Sequence, residues 1–162
     1  MSDAACTRCG TFAALTPLVG QQLCAQCIER LKAMPVYSQV AVRAVAILTN
    51  PTAGAAMLAM NYSAVGNKAK AREWTIAAVV IGVIYVILMN IDAIPNVAFL
   101  AANVGAGITM GRTWEPEWAV LVQHGFRKRN PWWVVLATLG ALVVLVLVLT
   151  AVELARGGAT EL

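Results

Sequence analysis

All four cysteines of the 162-residue chain, Cys6, Cys9, Cys24 and Cys27, fall near its start. They read Cys-x2-Cys, fourteen residues, then Cys-x2-Cys. Four thiolates at this spacing suit a tetrahedral Zn2+. With a sulfur at every corner no coordination position stays open, so the zinc is expected to be structural and not catalytic. Two disulfides, or a redox pair, are the other uses of such residues. Disulfides need an oxidising compartment, and the first thirty residues lack the basic-then-apolar pattern of a signal peptide. The N-terminus is therefore expected in the cytosol, and two copies of the pair favour a metal over redox chemistry.

No other constellation in the chain carries chemistry. His124 is the only histidine, without a neighbouring ligand, and reads as a solvated interfacial residue. There is no phosphate loop, no His-Glu-x-x-His, no nucleophile beside a base and no carboxylate pair. An enzyme is not expected, and no catalytic or cofactor-binding residue is assigned. Asp92 reads as a turn residue rather than a proton relay. Arg43 is expected to snorkel from the end of an apolar segment. Asn61 and Asn103 are expected to bond across helices, although with Asn50 they could instead line a polar path.

The cysteines need a scaffold. Gly10 follows the first pair, where a knuckle needs positive φ. Thr11–Val19 and Gln21–Leu23 fit a small hairpin turning near Gly20. Ala25–Ala33 fits a helix with Ile28 and Leu31 on one face, ended by Met34-Pro35. A module of these 33 residues buries too little core to fold without a staple. Zinc would supply it, with binding on the order of 10–16 kcal/mol in small zinc peptides.

Through CTRCG and LCAQC the start of the chain resembles zinc-ribbon and treble-clef-like knuckles. The whole chain resembles small bacterial membrane proteins in which a short ribbon precedes a motif like NPTAGAAMLAMNYSAVGNKAKA and several hydrophobic helices. The resemblance implies an architecture and no activity.

The remainder is that of a membrane protein. Charged residues make up 12% and hydrophobic residues 60% of the chain, whereas soluble domains carry roughly 25% charged residues. The net charge of +4 is expected to serve loops facing an anionic leaflet rather than nucleic acid. Thr75–Gly111 is a run whose only charge is Asp92. As one helix it would far exceed the roughly 30 Å of a hydrocarbon core. It must break, and Asn90–Asn96 with Pro95 is the place. Val40–Ala64 is interrupted at Thr49-Asn50-Pro51-Thr52, where Asn50 should cap a helix and Pro51 occupy its first turn. The segment either spans as one kinked helix or enters and returns. Basic residues flank it on both sides (Arg30 and Lys32, then Lys68, Lys70 and Arg72), which favours a re-entrant path with both ends in the cytosol. Arg112–Asn130 suggests an interfacial helix anchored by Trp114 and Trp118. Pro131–Val152 suggests a third spanning helix, and Glu153–Leu162 a disordered tail. Gly107-x3-Gly111 and Ala101-x3-Gly105 allow close helix approach, within one chain or between copies.

The expected fold is an all-α membrane protein: a zinc ribbon over 1–33, a linker over 34–39, a helical membrane domain over 40–152, and a tail over 153–162. That domain comprises three spanning helices, a re-entrant or kinked pair and an interfacial helix. The expected function is a cytosolic zinc ribbon docking or regulating a protein partner, carried on a multi-pass anchor in the cytoplasmic (inner) membrane. Its partners are the lipid bilayer and a second protein or further copies of itself. The rival function is a small oligomeric channel or transporter component.

Overall fold

The structure, a computed structural model, describes residues 5–91 and 95–157. Asp92 lies outside the described residues, as does 158–162 of the predicted tail. The chain begins with a hairpin, β1 (Leu15–Leu18) and β2 (Gln21–Cys24), followed by helix α1 (Ala25–Lys32). Five more helices follow: α2 (Gln39–Leu48), α3 (Pro51–Ala64), α4 (Lys68–Met89), α5 (Asn96–Gln123) and α6 (Trp132–Gly157).

The hairpin is antiparallel, with Leu18 opposite Gln21, so only Val19 and Gly20 form its turn. Both have positive φ, 49° and 73°, as a type I′ turn requires. Gly20 suits that turn. Val19 is a β-branched residue in a region it disfavours, and it is buried there.

Helices α2 and α3 make a second, helical hairpin. Asn50 accepts a hydrogen bond from the Ala53 amide at 2.9 Å, and Pro51 fills the first turn of α3. The reversal is therefore built where the sequence placed it. Asn61, near the end of α3, accepts from the Tyr37 amide at 2.7 Å and donates to the Tyr37 carbonyl at 3.0 Å. The entry of α2 and the exit of α3 thus lie side by side. Neither helix, at 10 and 14 residues, approaches the ~20 residues needed to cross a bilayer.

Helix α4 is long and apolar enough to cross a membrane. Its 22 residues extend about 33 Å. It starts before Thr75 because Asn67 caps it, accepting from the Lys70 amide at 3.1 Å. Ile76, Val80, Val83, Ile84 and Ile87 are exposed along it. The break falls between Met89 and Asn96, with Pro95 leading into α5.

Several expectations are corrected. The helix expected over 112–130 is not separate: α5 runs through Pro116 to Gln123. Trp114 and Trp118, one on each side of Pro116, are both buried and hold the helix against the core across the lost hydrogen bond. Trp114 is accordingly no interfacial anchor; its indole N–H donates to the Tyr37 carbonyl at 2.9 Å. Arg43 is half-buried. Its side chain lies over Gly111 of α5, and its Nε is buried with no hydrogen-bond partner among the described residues. Helix α6 continues to Gly157, through Glu153 where the disordered tail was expected to begin.

The residues expected to form a linker over 34–39 are partly core. Val36 and Tyr37 are buried. Val36 donates to the Arg127 carbonyl at 3.0 Å and accepts from the Arg129 amide at 2.7 Å. Buried side chains form one continuous core, from Cys6 and Leu23 through Tyr37 and Met57 to Leu121.

Candidate metal centre

The first knuckle is a loop closed by the Gly10 amide, which donates to the Cys6 carbonyl at 2.9 Å. Gly10 has φ +72°, which turns the chain after Cys9. The Thr7 amide and hydroxyl each donate to the Gln22 carbonyl at 2.9 Å, tying the loop to β2. The second pair sits where β2 ends and α1 begins, with Cys24 as the helix N-cap and Cys27 in its first turn. A helix N-terminus favours anions, here thiolates. Ile28 and Leu31 are buried beneath it, as their spacing predicted.

The four Sγ atoms all lie within 4.8 Å of one another. Cys9 and Cys24 are 3.6 Å apart, sulfur to sulfur. Zn–S bonds of about 2.3 Å would set tetrahedral edges of about 3.8 Å. All four cysteines are free thiols. The donor set therefore fits one tetrahedral metal ion, and these four positions are the ones assigned from sequence.

The local field is uneven. The Cys24 amide donates to Cys6 Sγ at 3.4 Å and brings the Cys6 thiol down to about 6. Cys9 Sγ stands 3.3 Å from the Thr11 hydroxyl, which holds Cys9 below the usual thiol range. Burial pushes the Cys27 thiol up to about 12. Backbone and hydroxyl donors thus favour thiolate in the first pair, while the interior opposes charge on Cys27. A divalent cation would offset that opposition and draw the whole set to thiolate. Nothing in the arrangement leaves a coordination position for a substrate.

The centre is not suspended on a free arm. Asn67, in the turn between α3 and α4, donates to the Val19 carbonyl at 3.0 Å. Gln21 donates to the Val65 carbonyl at 3.4 Å. A Cβ built on Gly66 would stand 2.7 Å from Arg8 Nη1. The hairpin tip and the first knuckle therefore rest on the turn over 65–67. Sequence reasoning missed this seat. The Asn67 side chain could be recognised as a cap, but nothing nearby in the chain identifies Val19 as its second partner.

The other singled-out residues are dispersed. His124 follows α5, half-buried, its amide bonded to the Val120 carbonyl. Asn50 caps α3, Asn61 holds Tyr37, and Asn103 accepts from the Tyr85 hydroxyl at 2.8 Å. A polar cluster not foreseen joins three helices: Glu117 of α5 accepts from Tyr62 of α3 and pairs with Lys70 of α4, both at 2.8 Å. In comparisons with known proteins, no family model, no curated protein and no solved structure matches this chain.

Proposed function

We propose that the chain is a multi-pass protein of a bacterial cytoplasmic (inner) membrane. Cys6, Cys9, Cys24 and Cys27 hold a structural Zn2+, and the ribbon they fold is a cytosolic docking or regulatory module for a protein partner. In this reading α4, the apolar part of α5, and α6 cross the bilayer, and α2–α3 is re-entrant. The convergence of the basic segments supports the placement. The ribbon, carrying Arg30 and Lys32, rests beside Lys68 through the Asn67–Val19 contact. Val36 is bridged to the strip at Arg127–Arg129. Three basic stretches gathered at one end of the molecule fit one anionic cytoplasmic leaflet. The exposed apolar side chains of α4 then face lipid rather than water.

The observation that carries the docking function is the seating of the ribbon itself. With its hairpin tip fixed on the helices, the ribbon leaves residues 10–14 exposed, and Phe12 is 69% exposed. A rigid mount with an apolar anchor loses little entropy on binding a partner. A crosslinking pull-down from native membranes tests it. A partner captured by the wild type and lost with both Phe12→Asp and Cys6→Ser supports docking through the folded ribbon. Capture that ignores both substitutions refutes it.

One feature favours the rival, a small oligomeric channel or transporter component: the broken α2–α3 pair, since broken helices recur at permeation sites. The asparagines such a path would use are engaged in capping and in bonds to Tyr37 and Tyr85. Solute flux across liposomes containing the purified protein would decide for the rival.

A further inference from the structure

Between α3 and α6 runs a groove of about 560 Å³, within the size range of small-ligand sites. Its two ends differ. At one end Arg129 stands over the Tyr37 ring, guanidinium carbon to ring centroid 5.1 Å. Trp133 flanks that end. At the other end is Thr52, in the first turn of α3. Small side chains such as Ala53 and Ala137 line the length between them. Along α3 the lining extends from Thr52 to Met60, about 12 Å. That is close to the depth of one leaflet, roughly 15 Å, or half of a 30 Å hydrocarbon core.

Charge identifies the occupant. Arg129 is exposed, as are Arg127 and Lys128 beside it. Among the described residues no carboxylate pairs with Arg129, the ion pairs being Lys32–Glu29 and Lys70–Glu117. A basic mouth, an indole beside it and an apolar slot one leaflet deep match a molecule with an anionic head and a hydrocarbon tail. An extended peptide fits less well. The walls are helices whose amides are bonded internally, so there is no open edge for strand pairing.

We infer that this groove is a binding site for one anionic phospholipid, with its phosphate on Arg129 and an acyl chain along Ala53 and Ala137. The inference rests on the membrane placement proposed above. The lipid would join α6 to α3, filling space that the side chains leave open.

The test uses full-length protein extracted from membranes, delipidated in detergent and titrated with phosphatidylglycerol or phosphatidylcholine of identical chains. Native mass spectrometry reads the bound lipid. One phosphatidylglycerol per chain is expected, favoured over phosphatidylcholine by about tenfold or more, as a charge-assisted contact implies. Arg129→Gln should abolish the preference, and Arg129→Lys should keep part of it. Ala137→Phe, at an exposed position on α6, should lower occupancy by both lipids while leaving helix content and metal content unchanged. Glycerol phosphate without acyl chains should not compete. Equal binding of the two lipids, a preference that survives Arg129→Gln, occupancy unaffected by Ala137→Phe, or a second copy of the chain in place of lipid would each overturn the site. Alkaline washing of membranes separates the two levels of the argument. Protein that stays in the pellet but shows no lipid preference removes the lipid site alone. Protein that washes free removes the membrane placement and the site together.

Discussion

Tyr37 and Asn61 meet across 24 positions of sequence, the side-chain amide of one bonded to both backbone groups of the other. The pair behaves like a single rung of β-ladder built from a side chain. It fixes where the α2–α3 hairpin closes. Trp114 adds a donor to the same Tyr37 carbonyl, so α5 is bound to the same point. Asn61→Ala should strip the Tyr37 amide of its partner inside the core. Leaving one buried donor unsatisfied costs about 1–3 kcal/mol. Thermal unfolding in detergent should show that loss, and a wild-type melting curve for Asn61→Ala would contradict it.

The same closure makes a topological prediction. Reporter fusions ending at Ser38 and at Lys68 should both report cytoplasm, because the chain enters and leaves at one level. Opposite reports would mean that α2–α3 is pulled through the bilayer as a spanning unit.

Purified protein should contain about one zinc per chain, lost in Cys6→Ser or Cys24→Ser, as the closed four-sulfur set requires. Thiols must lose their protons to bind metal, so retention should weaken as the pH falls. Intermolecular or intramolecular disulfides in freshly isolated protein would sink the metal assignment and place the N-terminus outside.

Much of this was legible in the sequence, because the signals were local. The cysteine spacing, a hairpin turning near Gly20, and Asn50-Pro51 at a helix start each depend on residues within a few positions. What stayed hidden depends on distant partners. Trp114 and Trp118 beside basic residues fit a membrane interface as well as a core, since an indole is apolar with one polar handle; only the Tyr37 carbonyl decides for the core. The charges from Arg112 onward suggested a separate helix, and the packing of Trp114 and Trp118 instead carries α5 through Pro116 to Gln123. The positive φ of Val19 has no sequence signature.

Asn67 has two separable duties, and a pair of substitutions should part them. Its oxygen caps α4 and its nitrogen holds the Val19 carbonyl. Asn67→Ala removes both; loss of the cap alone costs about 0.5–2 kcal/mol. Asn67→Asp keeps a good cap and has no N–H to give Val19. Hydrogen exchange at Val19 and Gly20 should therefore rise in both variants, while exchange at the start of α4 rises only in Asn67→Ala. Equal protection of the hairpin tip in Asn67→Asp and wild type would mean the ribbon is held by other contacts.

The small residues that suggested close helix approach divide into two kinds. A Cβ added at Gly54 would stand 2.6 Å from the Ala46 Cβ and 2.9 Å from the Met110 sulfur. One added at Gly107 would stand 2.6 Å from Ile47 Cγ1 and 3.0 Å from the Arg43 carbonyl oxygen. Both positions lie where α2 crowds its neighbours, and the Ala46 and Arg43 atoms belong to a helix that cannot shift alone. Gly107-x3-Gly111 therefore serves packing within one chain. Gly105 differs: a Cβ there meets nothing within 4 Å. Gly54→Leu and Gly107→Leu should each destabilise the helical domain by about 1–3 kcal/mol through overpacking, leaving zinc content intact. Gly105→Ala should be neutral or stabilising in the isolated chain, since alanine is favoured over glycine in a helix interior by up to about 1 kcal/mol. Unfolding of the three variants, measured beside their zinc content, decides the point. A destabilised Gly105→Ala would instead place that face against a second copy.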